Sequence, residues 1–179
     1  SGIPLPRYKD LWVPIRNVWP VVSAPPDLAV DEVPKGHALP EIHFGDALRL
    51  VGFGTSRESL HVGQWATLSY YWVLDRPTEV DYYVGVLFED SEGNVQVIGS
   101  LPVWDQSHVI GGANRTSRWE PGVIMCEQYD TIVPWRVNPD DYTVRLWVFE
   151  DQERKHPVQA QVPHPENGVA LGRIEVLPR

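Results

Sequence analysis

A regular alternation of apolar side chains in the segment WATLSYYWVLD, residues 65–75, limits this part of the chain to an extended conformation. Every second residue from Ala66 to Leu74 is apolar, and a period of two is that of a β-strand with one face turned to a core. An α-helix would repeat its apolar positions every three or four residues instead. The segment therefore predicts a strand that buries Ala66, Leu68, Tyr70, Trp72 and Leu74.

The same period recurs along the rest of the chain. VDYYVGVLFED places the alternate residues from Val80 to Phe88 on one face, and YTVRLWVFE does so from Tyr142 to Val148. Turn sequences separate these runs, among them NPDD and EDSEGN, in which we expect Gly93 at positive φ. We predict about seven or eight strands, with GVIMCEQYDTIVPW and YTVRLWVFE as a hairpin-like pair.

The proline content also favours an all-β fold. The chain has 17 prolines and 14 glycines in 179 residues, and we find no convincing amphipathic helix. Proline is excluded from helix interiors and is tolerated between elements or at sheet edges. Because short sheets bury their apolar faces only by packing face to face, the sequence predicts an all-β, two-layer antiparallel β-sandwich, immunoglobulin-like or jelly-roll.

Proline is concentrated near the start of the chain. Eight of the 17 prolines lie in the first forty residues, where they forbid a helix and favour an extended conformation. We expect residues 1–40 to form a Pro-rich linker or extended segment with Trp12 and Trp19 packed on the domain surface. Residues 41–179 are then the β-sandwich domain.

Charge and cysteine content exclude several classes of protein. A net charge of -9 with only 15 lysines and arginines would repel a phosphate backbone, so we expect no nucleic-acid partner. No apolar run approaches the roughly 18 residues that a membrane span needs. Cys126 is the only cysteine, which excludes an internal disulfide and a zinc site of several thiolates. We expect no cofactor.

Three long stretches together resemble a known domain. They are FGDALRLVGF, HVGQWATLSYYWVLDRPTEVDYYVGVLFEDSEGN and TSRWEPGVIMCEQYDTIVPWRVNPDDYTVRLWVFED, within Glu41 to Leu177. In order and spacing they are similar to the β-sandwich domain that follows the membrane-spanning region of many bacterial glycosyltransferases of the dolichyl-phosphate-mannose-dependent mannosyltransferase type. The chain departs from that pattern at residues 86–88 and 125–127.

The resemblance implies an accessory role. In such proteins the transferase chemistry belongs to the membrane portion, and the sandwich lies outside the cytoplasm without established catalytic residues. It implies a domain tethered in a membrane-associated parent protein, with any catalysis elsewhere. It also implies that the Pro-rich entry is a linker from a membrane or a neighbouring domain.

The segment LPVWDQSHVIGGANRTSRW, residues 101–119, is expected to be the longest loop and the place for a binding site. An indole can lie against the apolar face of a sugar ring while charged and polar groups bind its hydroxyls. The alternative is that the rings pack in the core, since Trp119 comes just before a Pro-Gly turn. The expected ligand-binding residues are Trp104, Asp105, His108, Arg118 and Trp119.

Catalytic and metal sites are not indicated. Cys126 lies within a predicted strand, where a thiol behaves as a small hydrophobe. The acid pairs Asp105 with Glu120 and Asp130 with Glu127 could be nominated for glycoside cleavage, but nearness in sequence does not establish the separation that this chemistry needs. EDSEGN lacks the spacing of a helix-loop-helix calcium site. We expect no catalytic and no metal-binding residues.

The expected function is that of a non-catalytic, extracytoplasmic accessory or binding domain of a larger protein. Its ligand would be a carbohydrate or the surface of a neighbouring protein or domain. Two alternatives stay open: a structural protein-protein interaction domain, which would bury its aromatic side chains, and a glycan-acting hydrolase, which would bring acids together in a deep cleft.

Overall fold

The computed structural model describes residues 28–98 and 101–178, and within these ranges the chain forms thirteen β-strands and two short 3-10 turns. The strands are β1 (Ala29–Val30), β2 (Ala38–Phe44), β3 (Leu48–Thr55), β4 (Ser59–His61), β5 (Trp65–Leu74), β6 (Tyr83–Glu89), β7 (Val97–Ile98), β8 (Leu101–Pro102), β9 (Asp105–Val109), β10 (Ile124–Ile132), β11 (Asp140–Phe149), β12 (Pro157–Val158) and β13 (Val169–Leu177). The turns cover Thr116–Arg118 and Pro165–Asn167. Trp12 and Trp19 lie outside the described residues.

Two sheets form the layers of a sandwich, which confirms the predicted fold class. The five-stranded sheet has the order β1-β10-β5-β3-β2. The six-stranded sheet runs β4-β13-β11-β6-β9, with β12 paired to β11, and β7 and β8 form a separate ladder. All the pairs are antiparallel except β4 with β13. Both sheets contribute to a single cluster of buried side chains between the layers.

The alternation that the sequence shows determines which side chains form this cluster. Ala66, Leu68, Tyr70, Trp72 and Leu74 of β5 are all buried, as predicted. The alternate residues of β11 from Tyr142 to Val148 are buried in the same way, and Gly93 has the expected positive φ of 84°. Successive side chains of a strand point to opposite faces, so one face of β5 is left for contacts outside the core.

The predicted pairing of β10 with β11 is wrong. β10 lies in the five-stranded sheet beside β5, whereas β11 lies in the other layer between β6 and β13. The chain therefore crosses from one layer to the other between these strands. An alternating pattern identifies the buried face of a strand, but it does not identify the neighbouring strand.

The sandwich also begins earlier than the predicted boundary between residues 40 and 41. β1 pairs with β10, and β2 begins at Ala38. Residues 31–37, which connect β1 to β2, cross the outer face of the five-stranded sheet, and we call this segment the strap. His37 holds the strap through its carbonyl, which accepts a hydrogen bond from the Phe53 amide (2.7 Å), and through Nδ1, 3.1 Å from the Tyr71 hydroxyl. Prolines prevent a helix here, but they are compatible with edge strands and extended chain.

Two glycines of β3 make room for the strap. A Cβ at Gly52 would lie 2.8 Å from the carbonyl oxygen of His37 and 2.6 Å from Val33 Cγ1. A Cβ at Gly54 would instead meet the ring of His37, which can turn away without a backbone shift but only by giving up its contact with the Tyr71 hydroxyl. The missing side chains of β3 thus allow the strap to approach the sheet backbone.

Replacing Gly52 by alanine is expected to lower the free energy of unfolding by about 1–3 kcal/mol, because backbone of the strap must shift to avoid the new methyl group. The midpoint of urea unfolding measures the change. Gly54→Ala is the matched control and should cost less. If both substitutions lower the free energy of unfolding equally, the close approach of the strap backbone to Gly52 is not what makes that position sensitive.

Candidate functional site

Part of the outer face of the five-stranded sheet carries polar side chains beyond the strap. Along β5 and β10 the facing pairs on this side are Tyr71 with Cys126, Ser69 with Gln128, Thr67 with Asp130 and Trp65 with Ile132. The strap covers the Tyr71 end. Along β5 the side chains on this face become more exposed from Ser69 to Trp65. Two cross-strand hydrogen bonds join this face to β10: Gln128 Nε2 to Ser69 Oγ (3.2 Å) and Thr67 Oγ1 to Asp130 Oδ1 (2.6 Å).

An open groove of about 360 Å³ lies at the Trp65 end of this face. We call it the Trp65 groove; its lining residues are Ser56, Arg57, Trp65, Ala66, Thr67 and Asp130. The side chain of Trp65 is an apolar surface that is 40% exposed. Tryptophan is enriched at binding interfaces, because its ring offers a large apolar face and its N–H a polar contact.

Backbone and side-chain hydrogen bonds hold the wall of the Trp65 groove in place. Ser56 Oγ accepts from the Thr67 amide (2.8 Å), and the Ser56 amide donates to the Thr67 carbonyl (2.9 Å). Thr55 Oγ1 donates to the carbonyl of Arg57 (2.8 Å), which fixes the backbone at Arg57. The backbone that carries Arg57 is therefore held next to Trp65, as is the carboxylate of Asp130.

These groups can bind hydroxyl-bearing ligands but are not arranged for hydrolysis. Arg57 can donate hydrogen bonds to a hydroxyl oxygen, and Asp130 can accept hydrogen bonds from hydroxyl groups. Acid-base cleavage of a glycoside requires a pair of carboxyl groups across the bond, and Asp130 is the only acid among the described residues that line the groove. Glu127, the acid nominated to act with Asp130, is core-facing, on the opposite face of β10.

The predicted site residues lie elsewhere, and both tryptophans are buried. Trp104 is 4% exposed; its indole stacks on Phe88, with ring centroids 3.8 Å apart, and donates to Thr131 Oγ1 (2.9 Å). Trp119 is 6% exposed and donates to the carbonyl of Asn114 (2.6 Å). Their burial favours the packing role that the sequence left as the alternative, and a ligand role stays a prediction for both.

The other three predicted residues do not converge on one surface. The expected loop contains the strand β9, whose alternation points His108 inward and Asp105 to the opposite face. Burial raises the pKa of Asp105, and the nearby Arg154 opposes this shift. Arg118 is exposed in the 3-10 turn. The ligand-binding role of these residues also stays a prediction.

His108 belongs to a buried polar cluster between the layers, formed by Tyr70, Gln106, His108, Glu127 and Tyr129. The Glu127 side chain is almost wholly buried, and its Oε2 accepts a hydrogen bond from Trp72 Nε1 (3.0 Å). Its Oε1 lies 2.9 Å from His108 Nε2. The ring of His108 stacks on Tyr129, with the centroids 3.6 Å apart.

This buried polar cluster is incompletely hydrogen-bonded. Among the described residues the hydroxyl of Tyr70 and both amide atoms of Gln106 have no hydrogen-bond partner, and the close contact of His108 with Glu127 lacks the angles of a hydrogen bond. Burial, followed by the charge of Glu127, raises the pKa of Tyr70 and of Tyr129, so both stay protonated. Groups this enclosed can affect stability, but they offer no open surface to a ligand.

Sequence reasoning overlooked the residues of the Trp65 groove. A signal was present in the sequence. The alternation that buries Ala66 and Leu68 places Trp65 on the opposite face of the strand, together with the polar residues Thr67 and Ser69. Among the described residues, no group of three His, Cys, Asp or Glu side chains could hold a metal ion. None of the described helical segments is long and apolar enough to cross a membrane.

Comparison with known proteins adds little beyond the fold. No family model matches the chain, and no curated protein matches it. Among solved structures it is similar to the C-terminal domain of wzt, with a TM-score of 0.48 and 11% identity over 83% of this chain and 89% of that domain. It also aligns with the Pseudomonas fluorescens alkylpurine DNA glycosylase AlkC bound to DNA containing an abasic site analog, with a TM-score of 0.39 and 14% identity over 74% of this chain and 30% of that one. Both scores are too low to indicate what this chain binds, and the resemblance to the glycosyltransferase-associated domain stays a prediction.

Proposed function

We propose that this domain is a non-catalytic carbohydrate-binding module and that the Trp65 groove is its binding site. The observation that carries the proposal is the 40% exposed indole of Trp65 in an open groove that also contains Arg57 and Asp130. An indole face covers the apolar side of a sugar ring, and the two charged groups bind its hydroxyls. The groove thus supplies both kinds of contact that a sugar needs.

Charge and cysteine chemistry support the same proposal. A net charge of -9 disfavours polyanionic ligands, whose binding depends on clustered lysines and arginines. Burial raises the pKa of the Cys126 thiol, and the thiolate is the form that acts as a nucleophile. A neutral glycan is therefore the class of ligand that this surface fits, and simple binding is the activity.

The sequence resemblance alone leads us to propose a location and a type of parent protein for this domain. Residues 41–177 resemble a domain that accompanies membrane-bound glycosyltransferases, so we propose an accessory module of a membrane-associated parent protein, on the extracytoplasmic side. Labelling of intact and permeabilised cells with an antibody against this domain tests the location. Labelling only after permeabilisation of the inner membrane would contradict it.

Replacing Trp65 by leucine is expected to weaken glycan binding about tenfold or more, because leucine keeps apolar area but loses the flat ring face. A tenfold change in Kd corresponds to about 1.4 kcal/mol of binding free energy. Trp65→Tyr keeps a ring and should stay within a few-fold of the native affinity. Glycan-array screening identifies the ligand, and calorimetry of the native protein and both variants measures the affinities.

Unchanged urea midpoints for both Trp65 variants would show that the loss is local, as expected for an exposed side chain. The proposal fails if the native protein binds nothing on an array that includes bacterial surface polysaccharides. It also fails if Trp65→Leu binds as tightly as the native protein. If the domain binds another protein and no glycan, the alternative of a protein-protein interaction domain is supported.

A further inference from the structure

A second tryptophan is exposed at the same end of the sandwich. Trp135 follows β10 and is 69% exposed, more than any other large apolar side chain among the described residues. Within this part of the chain the other exposed indole is that of Trp65. Two tryptophans with exposed fractions of 40% and 69% on one domain are unusual, since these side chains otherwise bury about 150–250 Å² each.

The backbone holds the two tryptophans close together. Ile132 faces Trp65 across the β10–β5 ladder, and the ladder continues beyond it. The amide of Val133 donates to the carbonyl of Gln64 (3.0 Å), and the amide of Gly63 donates to the carbonyl of Val133 (2.8 Å). Trp135 therefore comes two residues after a position that is hydrogen-bonded to the start of β5.

The indole of Trp135 lies on Gly63. A Cβ at Gly63 would be 2.9 Å from Cζ2 of that ring, so the missing side chain allows the ring to rest on the backbone, where φ is 82°. Gly63 and Trp65 are two residues apart, so their Cα atoms are separated by no more than about 7 Å. The ring of Trp135 thus rests on backbone two residues away from Trp65, outside the set of residues that line the Trp65 groove.

We propose that Trp135 forms a second sugar-binding position next to the Trp65 groove, so that the domain binds a glycan chain of at least two residues in preference to a monosaccharide. This inference rests on the proposed function. One indole covers one sugar ring, and two separate indoles at one end of a sheet fit successive or nearby rings of a single chain. When one ligand makes both contacts, the second contact is intramolecular, so it raises the affinity without the entropy loss of binding a second molecule.

The test uses gluco-, manno- and galacto-oligosaccharides from monosaccharide to hexasaccharide, with calorimetry of the native protein and of Trp135→Ala, Trp135→Tyr and Trp65→Leu. The native protein should gain affinity with chain length in the series it binds. Trp135→Ala should lose about tenfold in Kd for the longer chains and nothing for the monosaccharide. Trp135→Tyr should restore most of the gain, and Trp65→Leu should weaken binding at every length.

Other outcomes separate this inference from the proposed function. If native affinity does not change with length while Trp65→Leu still weakens binding, the second position is wrong and the module assignment stands. The same conclusion follows if Trp135→Ala leaves long-chain binding intact, including the case in which it changes only the oligomeric mass measured by light scattering. Absence of binding to any chain in these series and on the array overturns both.

Discussion

Replacing Glu127 by alanine is expected to lower the free energy of unfolding by about 3–5 kcal/mol, the largest effect of any single change in the buried polar cluster. The substitution removes the acceptor of the Trp72 Nε1 hydrogen bond and the group 2.9 Å from His108 Nε2. Trp72 Nε1 would remain buried without its acceptor, the truncated side chain would leave a cavity, and an unpaired buried donor costs more than its hydrogen bond contributes on balance. Urea unfolding followed by far-UV circular dichroism measures the loss.

Two further variants decide whether the cost comes from the missing partner or from the missing volume. Glu127→Gln keeps the shape and an acceptor for Trp72, so it should cost less than alanine. Replacing Glu127 and His108 together by leucine fills the volume and removes the close polar pair, so it should recover the part of the loss that comes from the cavity, while Trp72 Nε1 still lacks its acceptor. If Glu127→Ala is as stable as the native protein, the side chain is not buried as described.

The fold was largely predictable because burial follows a local pattern. The period of two in β5 and β11 identified their core-facing residues, which are buried from Ala66 to Leu74 and from Tyr142 to Val148. Strand pairing was not predictable, because β10 and β11 follow each other in sequence and yet lie in different layers. The choice of partner depends on the packing of distant strands, and no local alternation records it.

The sequence predicted an extended segment along the domain surface, but it did not predict how closely the strap lies on β3. Prolines near residues 34 and 40 indicated extended chain, and extended chain is compatible with either a linker or an edge strand. What decides between them is the space above β3, which exists because Gly52 and Gly54 have no side chains. That dependence joins residues far apart in sequence, so it becomes visible only in three dimensions.

The sequence predicted a candidate site in a loop, whereas the groove that we propose lies on a sheet. Residues 101–119 attracted attention because loops usually carry binding residues and this one is rich in aromatic and charged side chains. The structure turns part of it into β9 and buries its tryptophans. Burial of an indole depends on the volume available between the layers, which the sequence does not state, whereas the alternation of β5 turns Trp65 outward with Thr67 and Ser69.

Replacing Trp104 by alanine is expected to destabilise the domain by about 3–5 kcal/mol, as for other large aromatic core residues. The ring is 4% exposed, stacks on Phe88 and meets Tyr142 edge to face, with centroids 5.5 Å apart. Its loss leaves a cavity between the two sheets, and it leaves the hydroxyl of Thr131 without its donor. The midpoint of urea unfolding gives the size of the effect.

Comparison with Trp104→Phe separates the two roles that the sequence allowed for this ring. Phenylalanine keeps the stack on Phe88 but loses the hydrogen bond to Thr131, so it should cost less than alanine and leave glycan binding unchanged. Binding by Trp104→Ala, measured at a temperature where this variant is still folded, should match the native protein. A folded Trp104→Ala with native stability and lost glycan binding would instead establish the ligand role of Trp104, because a packing residue cannot be removed without cost to the core.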